Sequence, residues 1–394
     1  MTQYEVYATR WDDRHIVEEL IPARNLQFSM SLNGHGEASF TATVESGRSF
    51  WRPSIAPIVS GVLITRDDVP VWDGWVVDED EQDERSFTFR CAEWGAFFER
   101  IPAQPQTYNG WYVQNIIRDL ITRATAIPGQ SPLVDVGPAV TKGATTSYQV
   151  NAWDDITVER AFTELAGGEG APEWYIGAGG TLENPIRQLV MGTPLGNRGP
   201  QAVLEWVEDT LPPDPVYGPP TVTLLGNLFP VGTAVPALSR RGGNLLAKKR
   251  HRGSGNSATQ VIGIGSGDQA LQLRRTAVSD RLLKAGWPRL TTTQSYTDIE
   301  ASDELQRRIN ADLAATAGVT TGFSLVSMDG DPDWTQVPRG SDVQIILDTD
   351  VYGGDRPVGG PDGFTSRLLN LTVSVADDGP AQVQWDTATV LEVV

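Results

Sequence analysis

The chain has 394 residues, 40% of them hydrophobic and 21% charged. That is enough apolar material for a core, and it excludes a disordered chain, in which low hydrophobicity goes with high charge. Acidic residues outnumber basic ones 50 to 31, a net charge of −19, so the surface as a whole repels phosphate and is excluded as a nucleic-acid ligand field.

The single cysteine, Cys91, permits no intrachain disulfide. The start, Met1 to Tyr7, lacks the basic and apolar segments of a secretory signal, and no run of about 18 apolar residues is present, so folding in the cytoplasm is expected. With 40 glycines and 26 prolines, many turns and short strands are expected. The basic residues are nearly all arginine, which reads as the mark of a GC-rich genome rather than of a function.

The first hundred residues read as antiparallel β. Phe28, Met30 and Leu32 alternate with polar residues, Asn33-Gly34 interrupts, and Ala38, Phe40, Ala42 and Val44 alternate again, which predicts a hairpin with a loop over 33–36. Strands are predicted at 57–65, 69–77 and 86–92, with the acidic run from Asp78 to Glu84 as a solvated loop between the last two. Phe87, Phe89 and Cys91 share one face, which points the thiol into a core.

Beyond residue 101 the period changes. Val113, Ile116, Ile117, Leu120 and Ile121 predict an amphipathic helix. A second is predicted over 154–166, with Asp154 or Asp155 as cap, Val158, Ala161, Phe162 and Leu165 on one face, and Gly167-Gly168 as stop. Residues 192–236 carry prolines from Pro194 to Pro236 at a density that argues for an extended arm or linker. Strands are predicted at 244–252 and 259–264, and helices at 268–285 and 299–316, the latter announced by Thr297 and Glu300 in capping-box spacing and closed by Gly318. Strands return at 342–347, 368–376 and 381–390, with Asp378-Gly379 as a hairpin turn.

Motifs that carry chemistry are weak. Gly263-Ile264-Gly265-Ser266-Gly267 stands where a dinucleotide-binding turn would lie, but Asp268 replaces the third glycine and puts a carboxylate where a pyrophosphate needs room; a tight strand-to-helix turn capped by Asp268 is the better reading. No phosphate-cradling Gly-Lys loop and no Gly-x-Ser-x-Gly elbow occurs, and His15, His35 and His251 lack metal-ligand spacing. Asp329, Asp331 and Asp333 match the first positions of a calcium loop, but Trp334 and Gly340 stand where glycine and glutamate are required, which leaves a polar turn. Paired carboxylates for glycoside hydrolysis are weak evidence among so many acids. Arg240, Arg241, Lys248, Lys249, Arg250 and Arg252 form a basic cluster without interleaved aromatics, suited to an acidic neighbouring chain or to plain exposure. No catalytic, cofactor-binding or metal-binding residue is assigned.

Pro57-Ile-Val-Ser-Gly-Val-Leu-Ile-Thr, then Val71-Trp-Asp-Gly-Trp-Val-Val, then Ser86-Phe-Thr-Phe-Arg-Cys-Ala-Glu-Trp resemble, in order and spacing, the opening of tail-hub proteins of long-tailed bacteriophages. The segment Val261-Ile-Gly-Ile-Gly-Ser-Gly and the closing hairpin resemble minor tail proteins of phages that infect actinobacteria. The resemblance implies a non-enzymatic baseplate-hub subunit at the virion tail tip, assembled in the host cytoplasm. It further implies a homotrimer in which two related β-barrels per chain build a pseudo-sixfold ring. Such a ring would adapt the sixfold tail tube to threefold fibres or a spike. Expected partners are further copies, the distal tail protein, the tape-measure protein and tip, fibre or spike proteins, with DNA only passing through the lumen.

The expected fold class is α+β and β-rich, with two β-barrel-like domains at the chain ends and helical or mixed domains inserted between them. The expected units are an N-terminal barrel over 1–105, an inserted α+β unit over 106–191, the Pro-rich arm over 192–236, strands plus two helices over 237–318, and a C-terminal barrel over 319–394. The alternatives are a tail-associated cell-wall glycan hydrolase, with the arm as lid, and a carbohydrate-binding receptor module in which Trp111, Trp174 or Trp334 would stack on sugars.

Overall fold

The computed structural model describes residues 2–12, 14–43, 55–83, 85–153, 155–167, 170–197, 201–207, 244–253, 257–267, 272–296, 299–316, 319–348, 364–377, 379–387 and 390–392. Seven strands come first: β1 (Tyr4–Arg10), β2 (Ile16–Ile21), β3 (Ala23–Ser31), β4 (Glu37–Thr43), β5 (Ser60–Arg66), β6 (Val69–Asp83) and β7 (Ser86–Glu93). The period-two pattern decides β3 and β4: Leu26, Phe28 and Met30 face inward with Ala38, Phe40 and Ala42, in an antiparallel pair with Phe28 opposite Ala38. Their loop needs Gly36, because a Cβ there would lie 1.8 Å from the Ser29 carbonyl oxygen. Cys91 is buried among these strands, as its face predicts.

The acidic run is no loop. β6 continues through it to Asp83, paired with β7 from Gly74 opposite Glu93 to Asp83 opposite Ser86. The β7 hydrogen bonds satisfy one side of the backbone while the Arg90 guanidinium sits against the carboxylates of Asp78 and Asp80, so the charges stay at the surface and the strand persists.

The inserted unit contains α1 (Trp94–Phe97), β8 (Gln106–Tyr112), α2 (Val113–Thr125), β9 (Val134–Asp135), β10 (Thr145–Val150), α3 (Val158–Ala166), β11 (Glu173–Gly180) and β12 (Pro185–Gly192). The predicted stripes of α2 and α3 are buried and form one core with Trp75, Trp94, Phe98 and Trp174. The cap of α3 is Thr157, whose hydroxyl accepts from the Arg160 N–H, rather than Asp154 or Asp155. Asp155 has a positive φ of 47°, and Asp154 lies outside the described residues.

Then follow β13 (Val203–Val207), β14 (Leu245–Gly253), β15 (Gln260–Ile264), β16 (Arg274–Val278), α4 (Asp280–Lys284), β17 (Thr291–Ser295) and α5 (Ser302–Thr316). The predicted helix over 268–285 is corrected: among its described residues only α4 is helical, and residues 274–278 form a strand antiparallel to β15, with Val261 opposite Ala277. β-branched Thr276 and Val278 fit that half-buried strand, and tertiary pairing overrides the helical spacing of Val278 and Leu282. α5 packs Leu305 and Ile309 onto β15. Thr297, Gly318 and Asp378 fall outside the described residues, as does most of the Pro-rich stretch. The described part of that stretch is not uniformly irregular, since β13 pairs in parallel with a later strand.

The last strands are β18 (Val319–Met328), β19 (Asp342–Asp348), β20 (Phe364–Val375), β21 (Gln382–Thr387) and β22 (Val390–Glu392). They join the N-terminal strands in a 14-stranded sheet with the main order β14-β18-β21-β20-β3-β4-β7-β6-β5-β1-β2. The seam is the antiparallel pair β20–β3, from Asn370 opposite Ser31 to Val375 opposite Leu26. Two closed barrels were expected at the chain ends; among the described residues the strand path stays open, and both ends share one core that contains Phe28, Trp72, Phe89, Trp334, Leu371 and Trp385.

Candidate functional site

The face of the sheet turned away from that core is built by the alternate residues of the same strands, and it is made of small polar side chains. Across the seam, Gln384, Thr372 and Ser29 stand in one row, and Gln27, Ser39, Arg90 and Asp78 in a second. The groups satisfy one another: Ser324 Oγ donates to Asp386 at 2.5 Å, Gln384 Nε2 donates to the same carboxylate at 3.0 Å, and the hydroxyls of Thr41 and Thr88 lie 3.1 Å apart. At one end the face deepens into an open concavity of about 720 Å³ lined by Ser29, Ser39, Thr88 and Arg90, where His35 Nδ1 lies 3.3 Å from Glu99.

Buried arginines bind the inserted unit to this sheet. Arg187 on β12 is fully buried; its Nε donates to Asp73 on β6 at 3.0 Å, its Nη1 to the carbonyls of Trp11 and Pro132, and its Nη2 to that of Arg10. The guanidinium lies 3.9 Å from the ring centre of Trp94, whose indole N–H donates to Asp73 at 2.8 Å. Arg339 grips Glu93 with both terminal nitrogens, at 2.6 and 3.3 Å, while the Gly36 N–H donates to the same carboxylate. Burial pushes the Asp73 and Glu93 carboxyls up, and the guanidinium beside each opposes that rise without reversing it. Arg367 pairs with Glu173 and donates to the carbonyls of Gly340 and Leu195. Carboxylates held this way are joints, with their lone pairs already taken.

The aspartates of the calcium-like run are claimed from within. Arg66 on β5 lies 3.2 Å from Asp329 and 3.1 Å from Asp333, and Asp329 also accepts from Tyr4 and from the Trp334 indole. The guanidinium stands where a cation would, and Asp333 caps the short 3-10 turn Trp334–Gln336. Among the described residues no three His, Cys, Asp or Glu side chains gather as metal ligands. His15 lies in the β1–β2 connection, His35 in the β3–β4 loop and His251 in β14.

The glycine run serves packing. A Cβ at Gly263 would meet Ile309 at 2.4 Å, and one at Gly265 the Ile299 carbonyl at 2.7 Å, so these glycines let α5 close onto β15. The strand-to-helix turn expected there is a strand-to-strand connection into β16, and Asp268 lies outside the described residues.

Trp174 and Trp334 are core residues and offer no sugar platform. Trp111 is 44% exposed beside a shallow hollow, but Asn115 there is bonded to the Val140 backbone at both ends of its amide, and Asp119 is held by Tyr108 and Arg123. Trp153, 79% exposed, was not marked by sequence reasoning; it lies outside any periodic run, so no pattern distinguishes it. Of the basic cluster, Lys248, Lys249, Arg250 and Arg252 lie in β14, and Arg240 and Arg241 lie outside the described residues.

No protein-family model and no curated protein sequence matches the chain. Solved structures do. A tail protein from Neisseria meningitidis MC58 superposes with a TM-score of 0.59 at 11% identity, over 98% of this chain and 96% of that one. The 43 kDa tail protein of prophage MuSo2 from Shewanella oneidensis gives 0.58 at 10% identity, over 98% of both chains. Prophage tail protein gp18 from Listeria monocytogenes EGD-e gives 0.52 at 10% identity, over 97% of this chain and 94% of that one. Over nearly its whole length, the fold of this chain is similar to that of these tail proteins.

Proposed function

We propose that the chain is a structural, non-enzymatic subunit of a phage tail tip, a baseplate hub. The observation that carries this is the end-to-end match with three tail proteins, which leaves no large part of either fold unaccounted for. Three copies form a ring, each contributing its N-terminal and C-terminal strand groups, and the ring adapts a sixfold tail tube to threefold tip proteins. The small polar face around Ser29, Thr372 and Gln384 lines the channel. Its carboxylates and hydroxyls repel or slide past DNA phosphates, and Arg90 is occupied by Asp78 and Asp80. The distal tail protein, the tape-measure protein and fibre or spike proteins are the proposed neighbours, in a virion assembled in the host cytoplasm.

Particle imaging and native mass measurement of the purified chain, and copy counting at the tail tip of virions, test the proposal. Three copies around a central channel are expected. A different copy number at the tip overturns the trimer, and clearing of cell-wall substrate in a zymogram overturns the non-enzymatic assignment in favour of a glycan hydrolase.

A further inference from the structure

Two charge runs that the sequence singles out lie on strands at edges of the same sheet. β5 pairs with β6 only as far as Gly61 opposite Trp75, so from Val77 onward β6 has β7 on one side and, among the described residues, no strand on the other. That open half-strand reads Val-Asp-Glu-Asp-Glu-Gln-Asp over 77–83. At the far end of the strand order, β14 pairs, among the described residues, with β18 alone, from Lys248 opposite Leu325 to Gly253 opposite Thr320, and the strand reads Lys-Lys-Arg-His-Arg over 248–252. β13 reaches only the start of β14, through Asn244, which bonds to the backbone of Val203 and Glu205.

We infer that the acidic half of β6 in one copy pairs with the basic edge β14 of a second copy, continuing the sheet from chain to chain. Charge on an edge strand is ordinarily a device against edge-to-edge association. Here the two edges carry opposite signs, so each repels its own kind and attracts the other. Isologous pairing of β14 with β14, or of β6 with β6, sets like charges opposite one another, whereas β6 with β14 sets opposite charges across both faces of the new ladder. Both stretches are in regular register, from Asp78 to Glu81 and from Ala247 to Gly253. At the other end of the strand order, β2 breaks register against β1 twice and is blunted by it. A basic strand on the open side of β6 also extends what Arg90 supplies from the β7 side. An interface joining two different patches is head-to-tail, and a head-to-tail contact repeats until it closes a ring. The inference rests on the ring reading above only for the number of copies.

Charge swaps in the full-length chain test it, read by sedimentation and native mass measurement. Asp78→Lys with Asp80→Lys and Glu81→Lys reverses one edge; Lys248→Glu with Lys249→Glu and Arg250→Glu reverses the other. Each set alone is expected to weaken association about tenfold or more, and the two sets combined in one chain to restore it. Restoration also shows that the single sets fold. Raised salt weakens the parent assembly. The cysteine pair Asp80→Cys and Lys249→Cys, with Cys91 buried and inert, is expected to cross-link neighbouring copies on oxidation. Rings of three that survive either swap unchanged, or that never cross-link through this pair, overturn edge pairing and leave the ring reading standing. A parent chain that stays monomeric at every concentration overturns the edge pairing. Three copies counted at the tail tip would still support the ring reading in that case.

Discussion

Arg187 stands out at the residue scale because every donor it directs at Asp73 and at three backbone carbonyls is buried with it. Arg187→Met leaves the Asp73 carboxylate buried beside a thioether, and a loss of about 3–5 kcal/mol is expected in denaturant unfolding, against about 1 kcal/mol or less for an exposed arginine such as Arg160. A cost below about 1 kcal/mol for Arg187→Met would show that the joint holds nothing. No sequence signal marks this arginine, since Asp73 lies 114 positions away. The buried hydroxyls and thiol give a second prediction. Burial raises the tyrosines Tyr4 and Tyr108 and the Cys91 thiol, and burial together with a bond to Glu5 pushes Tyr7 up to about 12 from an ordinary value of 10.0. Raised acids stay protonated in the fold while the unfolded chain would release the proton. Their stabilising contribution is therefore complete below pH about 9 for the thiol and about 10 for the phenols, and is lost as pH rises through the folded values. In difference titrations of the parent against Tyr4→Phe, Tyr7→Phe and Tyr108→Phe, the phenolate signal lost with each substitution should be one that rises only together with loss of circular dichroism; a signal from any of the three that rises near pH 10 in the intact fold would refute the burial argument.

For the elements, legibility followed the range of the interaction. β3, β4, α2 and α3 were readable because their inward residues repeat at two or at three and four, and burial against a core enforces that repeat. The acidic half of β6 was misread because charge predicts a loop, while the backbone partner and Arg90 that keep it extended arrive from a neighbouring strand. The segment 274–278 was misread for the same reason: its partner β15 lies across a turn, and only the pairing makes it a strand. The buried joints of the candidate site were invisible, since each joins residues far apart in the chain. In β6, Gly74 sits in the Val-Trp-Asp-Gly-Trp run that carried the family resemblance, and its conformation is forced by contact: a Cβ would lie 2.2 Å from the Ala92 carbonyl oxygen and 2.4 Å from the Trp72 ring. Gly74→Ala should therefore destabilise the protein by about 3 kcal/mol, with the denaturation midpoint lowered, whereas Ala at the open position Gly379 should change it little. Equal midpoints for the two variants would remove the steric account of the motif.

The seam between β3 and β20 decides how the molecule holds together as a whole. Sequence reading places a β unit at each end of the chain, and both are present. Yet Phe28, Trp72 and Phe89 from the first pack in the same core as Trp334, Leu371 and Trp385 from the last. Arg66 reinforces the union by reaching from β5 to Asp329 and Asp333. A fragment of residues 1–105 would expose the side of β3 that β20 covers and open the core on one flank, giving up apolar burial worth about 25 cal/mol per Å². It is expected to lack a cooperative unfolding transition and to show poorly dispersed amide resonances when expressed alone. Adding residues 106–394 in trans should restore both, because the inserted unit with Arg187, the missing strands and the missing half of the core return together. A stable, cooperatively folding 1–105 fragment would mean that the ends are two self-sufficient units that merely touch at the seam. In the proposed ring, each chain would then flex at β3–β20. With a single shared core, each chain would instead be one rigid segment of the proposed ring.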